Sequence, residues 1–145
     1  MIGLLQRVSE ASVTVSGKVI ASIGPGLLVL VAVQPDDTPQ KARRLAERLL
    51  GYRVFPDAGH RMNRSLLELD YELLLVPQFT LAADTKKGTR ASFTRAAPAQ
   101  KGRKYFALLL EFCREALPQT ASGEFGADMQ VALINDGPVT FWLES

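Results

Sequence analysis

The chain has 145 residues, 47% of them apolar, which is the size of one domain with a core of its own, and its 17 basic and 15 acidic residues leave a net charge of +2 that singles out no partner. A lone cysteine, Cys113, excludes a disulfide framework and a CxxC site, and a lone histidine, His60, leaves a zinc centre or a Ser-His-Asp triad short of ligands or a base, so no metal and no cofactor is expected. The longest apolar run, Leu27 to Val33, is too short to span a bilayer and Met1-Ile2-Gly3 lacks the build of a signal peptide, so a cytoplasmic protein is expected.

In chain order, the stretch "LLQRVSEASVTVSGKVIASIGPGLLVLVAV" alternates around Val13, Val15, Val19 and Ile23, with Ser16-Gly17-Lys18 and Gly24-Pro25-Gly26 as turns. That pattern predicts consecutive antiparallel strands, the last of them, Leu27 to Val33, buried on both faces. A helix follows, with Thr38 as its cap, Pro39 in its first turn, Ala42, Leu45, Ala46 and Leu49 as its apolar stripe and Gly51 at its end. A short strand is expected at Arg53 to Phe55, a polar loop around His60 and a strong strand from Glu72 to Val76. A second helix is predicted from near Pro98 to about Leu117, with Tyr105, Leu108, Leu109, Phe112, Cys113 and Ala116 on one face, which makes Cys113 a packing residue. Strands return at Asp128 to Ile134 and Val139 to Leu143. The expected fold is α+β and sheet-dominated: one domain, 1–145, with an antiparallel β-barrel-like sheet and two main helices packed on it.

Two stretches break strand rules, and such breaks are where function is expected. In "VPQFTLAAD", Pro77 forbids a ladder bond, so the sheet opens or ends there and the amides of Gln78, Phe79 and Thr80 are free to face a ligand, the plainer reading being an edge strand that simply stops. In "LINDGPVTFW", Asn135-Asp136-Gly137 would alone make a hairpin turn, but Pro138 removes a donor and brings a cis bond within about 0.5–1 kcal/mol of trans. Between the two, "DTKKGTRASFTRAAPAQKGRK" from Asp84 to Lys104 carries Lys86, Lys87, Arg90, Arg95, Lys101, Arg103 and Lys104 against Asp84 alone, a local excess of six positive charges, seven minus one. This suits an acidic polymer as partner, and equally a solvated loop and helix start.

"PQFTLAADT" and "NDGPVTFWLES", with the N-terminal "MIGLLQRVSEASVTV" and the loop "GTRASF", resemble the D-aminoacyl-tRNA deacylase family from end to end of the chain. The resemblance implies a homodimer on a β-barrel-like sheet that hydrolyses the ester between a D-amino acid and the 3′-terminal adenosine of tRNA, and that also removes mischarged glycine, recycling tRNA and enforcing homochirality in translation. It implies catalytic main-chain and side-chain groups at Gln78, Phe79 and Thr80, and a cis Gly137-Pro138 pair that enters the partner's site to exclude L-amino acids. It further implies that Arg7 holds that loop in place and that Phe125 and Met129 line the adenosine pocket. Lys86, Lys87 and Arg90 would then meet the tRNA backbone. The family's SQFTL motif has Pro77 in place of its serine, which removes a hydroxyl and an amide hydrogen. A Thr80 nucleophile lacks a base beside it, which favours backbone stabilisation with help from the substrate's own ribose 2′-hydroxyl. The competing reading is a non-catalytic nucleic-acid-binding dimer that uses the 84–104 basic segment.

Overall fold

The computed structural model describes residues 1–145. Strand β1 (Ile2–Val15) turns through Ser16 and Gly17, whose φ values of 49° and 77° make the mirror-image turn that suits a tight hairpin, and returns as β2 (Lys18–Ile23). Strand β3 (Gly26–Ala32) pairs antiparallel with the first half of β1, from Ile2 opposite Ala32 to Val8 opposite Gly26, while β2 takes the second half.

Helix α1 (Pro39–Gly51) starts where the side chain of Thr38 accepts from the amide of Lys41 at 3.3 Å, and it buries Ala42, Leu45, Ala46, Leu49 and Leu50. A small hairpin, β4 (Phe55–Pro56) and β5 (Met62–Arg64), and the short helix α2 (Leu66–Leu69) lead into β6 (Glu72–Pro77). A 3-10 turn at Phe79–Ala82, helix α3 (Ala99–Ala116), the short strand β7 (Ala121–Ser122) and the long β8 (Gln130–Glu144) complete the chain.

The principal sheet runs β2-β1-β3-β6-β7, with β8 on the other edge of β1, and β2 returns close to β6 and β7, so that it curls into a nearly closed barrel. It is mixed rather than antiparallel throughout. Strands β3 and β6 are parallel, as are β6 and β7, because α1 and then α3 carry the chain back across the sheet before the next strand begins. Leu27, Val29, Val31, Leu73 and Leu75 meet α1 and α3, whereas Leu28, Leu74 and Val76 point into the barrel against Val8, Ala11, Val13 and Ile23. Both faces of β3 are thus buried, as the apolar run predicts, and each fully buried large aliphatic side chain contributes about 1.5–3 kcal/mol.

Helix α3 lies within the expected limits but turned on its axis. Gly102, Phe106, Leu109 and Cys113 form its buried line, while Tyr105, Leu108 and Phe112 flank it half-buried and Ala116 is exposed. The two terminal strands expected at Asp128 to Ile134 and Val139 to Leu143 are one strand, β8, antiparallel to β1 almost from end to end. No helix is long and apolar enough to cross a membrane.

Candidate active site

Strand β6 ends as Pro77 dictates, but the ladder survives one residue further: the amide of Gln78 donates to the carbonyl of Val31 at 2.7 Å. The chain then tightens into the 3-10 turn, and the amides of Phe79 and Thr80 are left without a main-chain acceptor. Of the three amides singled out from the sequence, two are therefore open to a ligand. The side chain of Gln78 donates through Nε2 to the hydroxyl of Thr80, which gives that hydroxyl a neutral amide neighbour that takes no proton. Thr80 is exposed and has no basic group bonded to it.

The residues expected around the adenosine come together with these amides. A cavity of about 280 Å³ is lined by Pro77, Gln78, Phe79, Phe125, Gly126 and Met129, among others. Across Phe79 and Phe125 lies a second, more apolar cavity of about 380 Å³, whose walls include Val31, Phe93, Phe106 and the first turn of α3 at Ala99 and Gly102. Sequence reasoning missed Phe93 as an aromatic of this second cavity, although it stands in the "GTRASF" stretch, because the basic residues on both sides dominate that segment.

Gly137 and Pro138 are elsewhere in the chain's own frame. Strand β8 pairs with β1 up to Thr140 opposite Gln6 and resumes at Asn135 opposite Val8, so Asp136–Val139 bulge out against the single residue Arg7. The Gly137-Pro138 peptide is cis. Arg7, whose side chain is 13% exposed, donates through Nε to the carbonyl of Asp136 at 2.8 Å and through Nη1 to the carbonyl of Val54 at 2.6 Å, and its Nε lies 3.5 Å from the Asp136 carboxylate. On the other flank the Asn135 side chain accepts from the amide of Val139 at 2.7 Å and donates to the hydroxyl of Thr140 at 3.0 Å. At Gly137, with φ 147°, a Cβ would fall 2.6 Å from Cγ2 of Val139 and 3.2 Å from Nη2 of Arg7, so only glycine fits. The bulge lines neither cavity of its own chain.

Lys86, Lys87 and Arg90 sit on an exposed loop closed by the Asp84–Ser92 bridge, and none of them forms an ion pair within the chain. Cys113 lies fully buried on the core face of α3, and burial pushes its thiol pKa from 9.0 up to about 12. No group of three or more His, Cys, Asp or Glu side chains is gathered anywhere in the chain.

The sheet thus breaks at a proline to leave two free amides beside an apolar cleft, an arrangement able to donate main-chain hydrogen bonds to an oxyanion. The description "D-Tyr-tRNA(Tyr) deacylase" belongs to a family profile that matches residues 4–144. The D-aminoacyl-tRNA deacylase of Alkalilimnicola ehrlichii is 60% identical over 145 residues, covering 100% of this chain and 97% of that protein, and the one from Pseudomonas fluorescens is 58% identical over the whole of both. Among solved structures, one titled "c-Myc DNA Unwinding Element Binding Protein" superposes with a TM-score of 0.95 at 38% identity, covering 100% of this chain and 99% of its own. A probable eukaryotic D-amino acid tRNA deacylase shares the fold with a TM-score of 0.87 at 20% identity, covering 99% and 98%. The chain belongs to the D-Tyr-tRNA(Tyr) deacylase family, and it is accordingly an ester hydrolase.

Proposed function

We propose that this chain hydrolyses the ester between a D-amino acid, or mischarged glycine, and the 3′-terminal adenosine of tRNA, working as a homodimer in which the Gly137-Pro138 bulge of one copy enters the amide-lined cavity of the other. One observation carries the dimeric reading: a bulge held on two flanks by Arg7 and Asn135 is exposed and lines neither of the two aromatic-walled cavities of its own chain. Strand β8, which bears it, has a free outer edge and exposes Ile134 and Trp142, by 55% and 48%, as an interface strand would.

The energetics favour a main-chain filter. Sparing L-aminoacyl-tRNA by ten-thousandfold requires about 5.5 kcal/mol, whereas fitting or refusing one methylene in an apolar pocket supplies about 1–3 kcal/mol. A fixed strip of main chain at the substrate Cα excludes anything larger than hydrogen on the L side, and a D side chain leaves towards solvent unread. Glycine, with two hydrogens, passes such a filter.

For the chemistry, the amides of Phe79 and Thr80 hold the developing oxyanion, each such donor being worth roughly 2.7–4 kcal/mol. The ribose 2′-hydroxyl of the substrate orients the attacking water. Thr80 serves through its amide rather than its hydroxyl, since the neighbour of that hydroxyl is the donor Gln78 and not a base. Phe125 and Met129 flank the adenosine, and Lys86, Lys87 and Arg90 meet the tRNA phosphates.

Rates on D-tyrosyl-, glycyl- and L-tyrosyl-tRNA test the reading: the first two should be hydrolysed and the third spared. Equal rates on the two tyrosyl enantiomers would overturn it. Near-normal turnover by Thr80→Ala is expected, and an acyl group trapped on Thr80 would refute the mechanism. The basic loop and the likeness to the 38% identical structure of a c-Myc DNA unwinding element binding protein favour a second reading, nucleic-acid binding without catalysis. That reading requires Gly137→Ala to leave every activity of the protein intact.

A further inference from the structure

Phe79 and Phe93 are 55% and 47% exposed at the mouth of the 380 Å³ cavity, with ring centroids 5.3 Å apart and planes inclined at 57°. They therefore do not stack on one another, and each keeps an uncovered face. Two large apolar faces left in water side by side point to a ligand. The cavity is of the size that small-molecule sites have, about 300–1,000 Å³, and it shares Gln78, Phe79, Phe125 and Gly126 with the cavity beside the catalytic amides.

The partition between the two is fixed from behind. The Phe125 ring rests on Gly102 of α3, where a Cβ would come within 3.0 Å of the ring's Cζ. Next to it, Arg103 lies 5.1 Å from the centre of that ring and donates to the carbonyl of Phe125 at 3.2 Å. Two adjoining apolar compartments thus stand ready-made on either side of one aromatic wall.

We propose that the second compartment is a nucleobase subsite for the penultimate nucleotide of the tRNA 3′ end, an inference that rests on the reading of the first compartment as the terminal adenosine's. Single-stranded nucleic acid is held by aromatic faces beneath its bases and cations along its backbone. Both are present here. Phe93 belongs to the Asp84–Lys104 segment, where positive charges exceed negative by six, so the mouth of the compartment is carried on the most cationic stretch of the chain. The carboxamide of Gln78 reaches both compartments and can meet the polar edge of a base. An amino-acid side chain would use the apolar walls but not the cations of the segment that carries Phe93.

The test compares two substrates, D-tyrosyl-tRNA and D-tyrosyl-adenosine, the latter lacking the penultimate nucleotide. Phe93→Ala removes a stacking face, and Ala99→Leu fills the compartment from an exposed position at the start of α3, where folding is not at risk. Both should lower kcat/KM for D-tyrosyl-tRNA about tenfold or more and leave D-tyrosyl-adenosine unaffected, since stacking contributes to each base separately. A D-tyrosyl ester of cytidylyl-adenosine should regain the sensitivity. Equal losses on tRNA and adenosine esters, or no loss on tRNA, would overturn the subsite. Preference of the unsubstituted protein for D- over L-tyrosyl-adenosine checks the underlying activity separately, so failure of one reading is not mistaken for failure of the other.

Discussion

Arg7 ties Asp136 to Val54, its guanidinium reaching the carbonyl of the first at 2.8 Å and of the second at 2.6 Å. No other common side chain has donors arranged to join both, and lysine has a single nitrogen for the task. Arg7→Lys should therefore leave the sheet intact and loosen the bulge. The expected outcome is an unchanged circular dichroism spectrum with the D-to-L ratio of kcat/KM on tyrosyl-tRNA reduced about tenfold, the scale of one charged hydrogen bond. An unaltered ratio would separate Arg7 from selectivity.

Asn135 acts on the opposite flank through both ends of its amide. Asn135→Asp keeps the acceptor for the Val139 amide and loses the donors to the Thr140 hydroxyl and the Val139 carbonyl, whereas Asn135→Ala loses all three bonds. Selectivity should fall in the order parent, Asp, Ala, with each lost bond worth about 1 kcal/mol, or roughly fivefold. Steady-state kinetics on both enantiomers decide it, and a fall in D-tyrosyl turnover without any gain on L-tyrosyl would contradict the ordering.

Lys86, Lys87 and Arg90 carry no internal ion pairs, so their charge is free for phosphate. Replacing all three by Gln should flatten the plot of log kcat/KM against log salt by about 2, at about 0.7 per contact with a single strand. Hydrolysis of D-tyrosyl-adenosine should show the same weak salt response before and after. A parallel shift without a change of slope would place the phosphates elsewhere.

The Cys113 thiol, raised to about 12 from 9.0, titrates differently in the two states of the chain. Between those values the folded protein keeps the proton and the unfolded chain releases it. The resulting stabilisation is complete below about pH 9 and is lost as pH rises towards 12. Urea unfolding from pH 7.5 to 10.5 should show parent stability declining more steeply than that of Cys113→Ala. Native Cys113 should also resist iodoacetamide until urea is added; ready alkylation of the folded protein would refute its burial.

Met1 and Asp37 form an ion pair at 2.5 Å with neither group exposed, and the ammonium also donates to the carbonyl of Ser145 at 3.0 Å. Asp37→Asn leaves a buried ammonium without its counter-charge, and breaking such a pair costs about 3–5 kcal/mol. Denaturant melts should register that loss, and a change below about 1 kcal/mol would mean that water reaches the pair.

Much of this architecture was legible in the residues. Thr38, Pro39 and Gly51 bracket α1 because caps are local chemistry, and the unbroken apolar run of β3 announces burial on both faces. The phase of α3 was not legible, since Gly102 contributes nothing to an apolar count yet faces the core by making room for Phe125. The parallel pairing of β3 with β6 depends on where α1 packs, which no alternation of side chains records. Asn135-Asp136-Gly137-Pro138 reads as the end of one strand and the start of another. The Asn135 side chain replaces the missing ladder bonds and lets β8 run through. Likewise Pro77 marks the break in β6, but the amide of Gln78 is claimed by a carbonyl 47 positions earlier, Val31, a long-range fact beyond any local motif.

Because both feet of the bulge stand on the same continuous strand, its height above the sheet is set by the register of β8 on β1 and not by the walls of any binding cleft. On the proposed reading, substrate preference and handedness are mechanically uncoupled: descendants of this chain can reshape cleft linings to suit different acceptor ends while the proposed gauge of chirality stays at one setting.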